Sequence, residues 1–182
     1  VAEYSSGNSD NVRMNPQYSG IITLNPWQHN INNYRAFYAY YSGVTDIAAG
    51  GTREILIKTP NNDTMVRFRF IVITEKDSRV TLFHNVTTSS DGGSYNERSN
   101  NLNSGSPAVV ITGTPTITDS GTEIFDNYHG TIHPYNGLLK QGFELVLDQN
   151  TKYWLRIINN DGVNTSQCSV MLEWCEHENI NG

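Results

Sequence analysis

Only two of the 182 residues are cysteine, only 16% carry a charge, and no apolar run comes near the length of a membrane span. Each shortage excludes something. Cys168 and Cys175 fall on one predicted strand at an odd spacing, which sends their side chains to opposite faces. Seven residues of strand also separate their Cα atoms by roughly 23 Å, against a disulfide reach of about 7 Å. Two free thiols are expected, which fits a reducing cytosol. The net charge is −6 and no window gathers a block of Lys and Arg, so nucleic acid is not an expected partner. Without the ~20 consecutive apolar residues a spanning helix needs, no membrane role is expected. The opening Val1-Ala2-Glu3-Tyr4 has no basic-then-apolar leader pattern, so a leader is expected to be absent or already removed. Gly-x-Ser-x-Gly, a phosphate-binding Gly-rich loop and His-Glu-x-x-His are all missing. No period of 20–50 residues recurs, which argues against a propeller or a solenoid.

What is present is strand after strand. Apolar residues make up 37% of the chain, and Asn, Thr, Ser and Gly fill much of the rest. That composition disfavours helices and suits short strands joined by polar turns. The length fits one domain with a core of its own. Strands are predicted over 34–41, 52–59, 65–74, 79–87, 108–112, 115–118, 122–125, 142–147, 153–158 and 168–174, with a short one at 21–24. In 65–74, Val66, Phe68, Phe70 and Val72 share a face that reads as core. Arg67, Arg69, Ile71 and Ile73 share the other. In 52–59, Ile55 and Ile57 alternate against Glu54, Leu56 and Lys58. Aromatics on both faces of 34–41 suggest cover on both sides.

Residues 88–106 and 126–141 read as long irregular segments, and loops of that length are often functional. Residues 1–20 read as a polar arm, 21–176 as the folded domain and 177–182 as a polar tail. Alternation with hairpin-type connections predicts an all-β fold, an antiparallel β-sandwich of jelly-roll type. An immunoglobulin-like sandwich ranks second, because its cysteine pair is missing.

Candidate sites are few. Asp126, His129 and His133 could hold zinc, but Gly130 and Pro134 oppose the helix that would align them. Hydrogen bonds or subunit contacts are the ordinary reading there. Asp91 and Glu97 are too few acids for a calcium loop. Glu144 and Glu173 would be the carboxylates of a glycosidase, but solvated strand glutamates account for them equally. Asn62, Asn85 and Asn164 head glycosylation triplets, which matter only on a eukaryotic secretory route. Tyr95, Tyr128 and Tyr135 belong to a rich set of aromatic rings that could stack on sugars, pack in a core or form an interface. No catalytic residue, cofactor or metal is expected. Tyr95, Asn96, Arg98, Tyr128, His129, His133 and Tyr135 are the candidate contact residues.

Several segments together carry a resemblance. They are Leu82-Phe83-His84-Asn85, the loop Tyr95-Asn96-Glu97-Arg98-Ser99-Asn100, Pro115-Thr116-Ile117-Thr118, Gly121-Thr122-Glu123-Ile124-Phe125, Lys152-Tyr153-Trp154-Leu155-Arg156-Ile157-Ile158-Asn159 and Val170-Met171-Leu172-Glu173-Trp174. In strand order and in this loop the chain, over roughly 33–176, resembles the small tailed-bacteriophage capsid decoration or cement proteins. It departs from them at Glu97-Arg98, where relatives often carry a second Asn-Arg pair. The resemblance implies a non-enzymatic virion protein, a homotrimer on the outer head surface that binds the major capsid protein and braces joints against packaged DNA. It also implies assembly in the host cytoplasm, and Val1 fits removal of an initiator Met. The alternative is a carbohydrate- or receptor-binding module, such as a phage fibre head, with a glycan as partner.

Overall fold

The computed structural model describes residues 12–15, 20–23, 35–41, 46–95, 97–99, 106–129 and 144–178. Among them every regular element is a strand: β1 (Val12–Asn15), β2 (Gly20–Thr23), β3 (Ala36–Tyr41), β4 (Thr52–Lys58), β5 (Thr64–Thr74), β6 (Ser78–His84), β7 (Thr87–Ser90), β8 (Gly93–Ser94), β9 (Glu97–Ser99), β10 (Val110–Gly113), β11 (Thr116–Asp119), β12 (Thr122–His129), β13 (Leu145–Leu147), β14 (Lys152–Asn159) and β15 (Cys168–Glu178). Two antiparallel sheets pack as a sandwich. One has six strands in the order β12-β6-β14-β4-β10-β8, the other five in the order β13-β5-β15-β3-β9. Two-stranded ribbons, β1-β2 and β11-β7, complete the set. β1 lies inside the stretch that reads as a polar arm, and β15 runs on to Glu178.

Side-chain alternation builds the core. Val66, Phe68, Phe70 and Val72 of β5 are buried, as their phase predicts, against Ile55 and Ile57 of β4, Leu155 and Ile157 of β14, and Leu172 and Trp174 of β15. Trp174 stacks on Phe37 with centroids 5.9 Å apart, and Phe125 meets Phe70 edge-on. Both cysteines are free and buried. Alternation along β15 puts Cys168 on the core side and Cys175 on the other. Burial pushes the Cys168 thiol up to about 11, so it stays protonated and inert.

Leu56, on the opposite face of β4 from Ile55 and Ile57, is also buried, beside Trp154 under Val86, with Phe83 and Ile117 packed against them. Val86 immediately precedes β7 and Ile117 lies on β11, so the β7-β11 ribbon and its lead-in cover part of the outer side of the six-stranded sheet. Three expectations need correction. Strand β3 is not covered on both sides: Phe37 is buried, but Tyr40 is 56% exposed. The polar stretch 88–106 is not loop throughout, since it supplies most of β7 and all of β8 and β9. Edge strands are held by backbone hydrogen bonds, which Ser and Gly provide as well as Val does. Strand β8 joins β10 and β9 joins β3, so this short run borders both sheets. Finally, β12 extends to His129, so the irregular segment does not begin at Asp126.

A polar lock fastens the ribbon. Lys58 and Lys152 stand directly opposite each other on β4 and β14, a like-charge pair that would repel. Asp91 bridges them: Lys152 Nζ donates at 2.7 Å, Lys58 Nζ at 2.8 Å and Thr88 Oγ1 at 2.6 Å. These bonds, with Lys152 the strongest, hold the Asp91 carboxyl well below the usual carboxylate range. Next to it Gly92 has φ +83°, and a Cβ there would collide with the Gly113 carbonyl.

Candidate interaction face

The five-stranded sheet turns one row of pleats inward and leaves the other outward. Three exposed apolar residues lie on that outward side: Tyr40 of β3, Ile73 of β5 at 41% and Val146 of β13 at 62%. Register brings Ile71, Met171 and Tyr40 side by side across β5, β15 and β3, with Ile73 two residues along from Ile71. The next row holds Arg69, Glu173, Tyr38 and the backbone of Arg98. Here Arg69 Nε donates to Glu173 Oε2 at 2.6 Å. Arg67, beside Val146, reaches Glu144 at 3.4 Å. The face is thus an apolar stripe bordered by two ion pairs, each neutral in itself. Interfaces have this anatomy, an apolar centre rich in Tyr and Met with a polar rim.

The predicted contact residues do not gather in one place. Tyr95 is half-buried, packed against the main core, and its ring covers Gly113 so closely that a Cβ there would collide with it. Its backbone N–H donates to the Ile111 carbonyl at 3.0 Å. Arg98 pairs through its backbone with Tyr38 on β3. Tyr128 stands on β12, in the other sheet, with its side chain 65% exposed. The Arg79 guanidinium lies 5.3 Å from the centre of its ring and holds Asp126 by two bonds of 2.8 and 2.9 Å. The backbone of His129 pairs with Ser78. Asn96, His133 and Tyr135 lie outside the described residues. The described residues contain no group of three or more His, Cys, Asp and Glu placed to hold a metal. Glu144 and Glu173 each face an arginine partner.

Ile73, Val146 and Met171, which lie on this face, were not among the candidate residues read from the sequence. For Ile73 a signal existed, because the phase of β5 already sends it outward beside Ile71. Val146 and Met171 gain their place only from strand order, which pairs Val146 with Arg67 and Met171 with Tyr40. No family model matches the chain, and no curated protein matches it.

Proposed function

We propose that this chain is a non-enzymatic structural protein of a tailed-bacteriophage virion, a decoration protein that binds the major capsid protein on the outer head surface as a trimer. The observation that carries the proposal is strand order. Set aside β7 to β11, and the remaining strands of the sandwich alternate between sheets, except that β6 and β12 follow each other within one sheet. They fall into the order β3-β15-β5-β13 on one side and β4-β14-β6-β12 on the other. That order supports the jelly-roll reading, an architecture shared by many viral capsid and lectin domains. Architecture alone does not assign a role. The role draws on the resemblance of the loop and strand sequences, and on a face suited to protein contact rather than catalysis. Trimeric attachment multiplies modest contacts into firm binding.

The deciding measurement is copy number per particle, by quantitative mass spectrometry of purified virions. A decoration protein is present in proportion to the capsid subunits. A few copies confined to the tail tip would overturn the proposal.

A glycan-binding role is the second reading, and the exposed Tyr128 ring beside Asp126 and Asn127 favours it. Sugars stack on such rings and bond to neighbouring carboxylates and amides. This reading expects saturable binding on a glycan array, weakened by Tyr128→Ala. Tyr95→Ala is not a fair test, because that ring packs against the fold.

A further inference from the structure

We infer that the β7-β11 ribbon is an arch that lifts from the six-stranded sheet as a unit while the sandwich beneath it stays folded. The inference goes beyond the decoration reading and does not depend on it.

Strand order makes the ribbon an arch and not a flap. Strands β6 and β12 are neighbours at one end of the six-stranded sheet, and β8 and β10 are neighbours at the other. In sequence β7 runs from β6 to β8, and β11 runs from β10 to β12. The ribbon therefore crosses the outer side of β14 and β4, tied at both ends. Each of its four junctions is two residues long and holds one residue in the left-handed region: Asn85 at φ +60°, Gly92 at +83°, Thr114 at +54° and Gly121 at +63°. For a β-branched residue such as Thr114 that conformation is strained. These turns end the ladders on either side of them. The ribbon can change its tilt there without disturbing the register of β6, β8, β10 or β12.

Little holds the arch down along its length. It shares no ladder with either sheet, and its own three partner pairs are separated by two register shifts. Of its eight residues only Thr88 and Ile117 are even half-buried. Two backbone moorings lie at its ends: Val86 N–H donates to the Lys152 carbonyl at 3.1 Å, and Thr114 N–H to the Glu54 carbonyl at 3.2 Å. Between them Ile117 packs on the sheet, and Lys152 Nζ donates to Thr88 Oγ1 at 2.6 Å. The Asp91 carboxylate, in the junction after β7, grips Lys152 and Lys58 together. Those lysines stand opposite each other and repel once it lets go. The Asp91 carbonyl accepts from Thr112 Oγ1, so the backbone of this junction stays on the sheet when the side chain leaves.

What lies beneath favours lifting. Trp154 is only 7% exposed, and its buried Nε1–H finds no acceptor among the described residues. An unpaired buried donor is stabilised by any opening that admits water. Raising Ile117 and releasing Asp91 would wet Trp154 and Phe83 while β14 keeps its ladders with β4 and β6. Local openings of this kind lie below global unfolding in free energy. The outer side of the central strands can thus be dry or wet with the fold unchanged.

The test is native-state hydrogen exchange of the full chain by NMR, in rising urea below the unfolding transition. The ladder amides of β7 and β11 and the indole N–H of Trp154 report the arch. The ladder amides of β5 and β15 report the core. The arch set is expected to exchange together, at least about 100-fold faster than the core set and with little dependence on urea. Asp91→Asn is expected to speed the arch set about tenfold. Val72→Ala, in the core of the five-stranded sheet, is expected to speed the core set and leave the arch set unchanged, because lifting does not unfold β5. Near-UV circular dichroism checks that each variant folds; Thr88→Val replaces Asp91→Asn, and Val170→Ala replaces Val72→Ala, if either does not. A Trp154 indole that exchanges with the core set overturns the inference. So do arch amides with the urea dependence of the core, Val72→Ala speeding both sets alike, or Asp91→Asn leaving the arch rates unchanged. Arch amides that exchange at unfolded-chain rates in the wild type overturn it too, since the arch would then never be closed.

Discussion

Outward-pointing Leu56, Phe83 and Trp154 on the six-stranded sheet lie under the β7-β11 ribbon, whereas outward-pointing Tyr40 and Ile73 on the five-stranded sheet stand in solvent. Both groups obey the same alternation. The difference is that a segment distant in sequence returns to cover one group and no described segment covers the other to the same extent. Pleating decides which way a side chain points, and the path of the rest of the chain decides whether that direction is wet. A covered group is part of the monomer's core. An uncovered one is available to a partner.

The sharpest way to break this comparison is to truncate one residue from each group. Trp154→Ala is expected to cost about 3–5 kcal/mol in urea unfolding, as large buried aromatics do. Tyr40→Ala is expected to stay within about 0.5 kcal/mol under conditions that keep the chain monomeric. Equal costs would mean the two faces are not different after all.

Loosening the cover comes next. Gly92→Ala forces a Cβ into the Gly113 carbonyl at a positive φ, with an expected loss of about 2–3 kcal/mol from strain and overpacking together. Tryptophan fluorescence of the Trp154 environment should report the change before global unfolding.

Asp91→Asn has a smaller expected effect, about 1–2 kcal/mol, because the lock is about a third exposed and screened by solvent. Its pH dependence has a definite sign. The folded pKa lies below the unfolded one, so the wild type holds the full contribution above about pH 4 and loses it as the pH falls further. The variant should show a shallower acid slope in thermal unfolding. Some slope should persist, because Asp126, held by Arg79, and Asp161, held by Asn164, are also lowered. The smallest effect is expected for Ile73→Glu, within about 0.5 kcal/mol for the monomer. A large loss there would place Ile73 in the core of the single chain and remove it from the interaction face.

Much of the sandwich was legible. The phase of Val66, Phe68, Phe70 and Val72 located the core, because a half-buried strand must alternate. The odd spacing of Cys168 and Cys175 separated them. Burial of Leu56 was not legible, because its cover comes from Val86 and Ile117, and local pattern carries no record of distant partners. Nor were β8 and β9, whose Ser, Gly and Glu residues lack strand propensity and are held by ladders with β10 and β3. The interaction face was half legible. The sequence showed Ile71 and Ile73 beside the arginines, but strand order was needed to bring Met171, Tyr40 and Val146 to them. The packing of Tyr95 against the fold was not legible, because nothing nearby in sequence reveals that Gly113 leaves room for its ring.

Strand order has one more consequence, which concerns time. Strand β14 lies between β4 and β6, and β15 lies between β3 and β5. Of the described strands, the two latest in sequence are therefore the ones that join the earlier strands of each sheet. A nascent chain that has passed β6 holds strands with no central neighbour. Neither layer can be completed until β14 and β15 leave the ribosome. The long-range closure this requires favours slow, cooperative folding after synthesis. It also makes chains truncated before Cys168 unable to complete the five-stranded sheet, and such chains would leave the edges of β3 and β5 that β15 pairs without a partner.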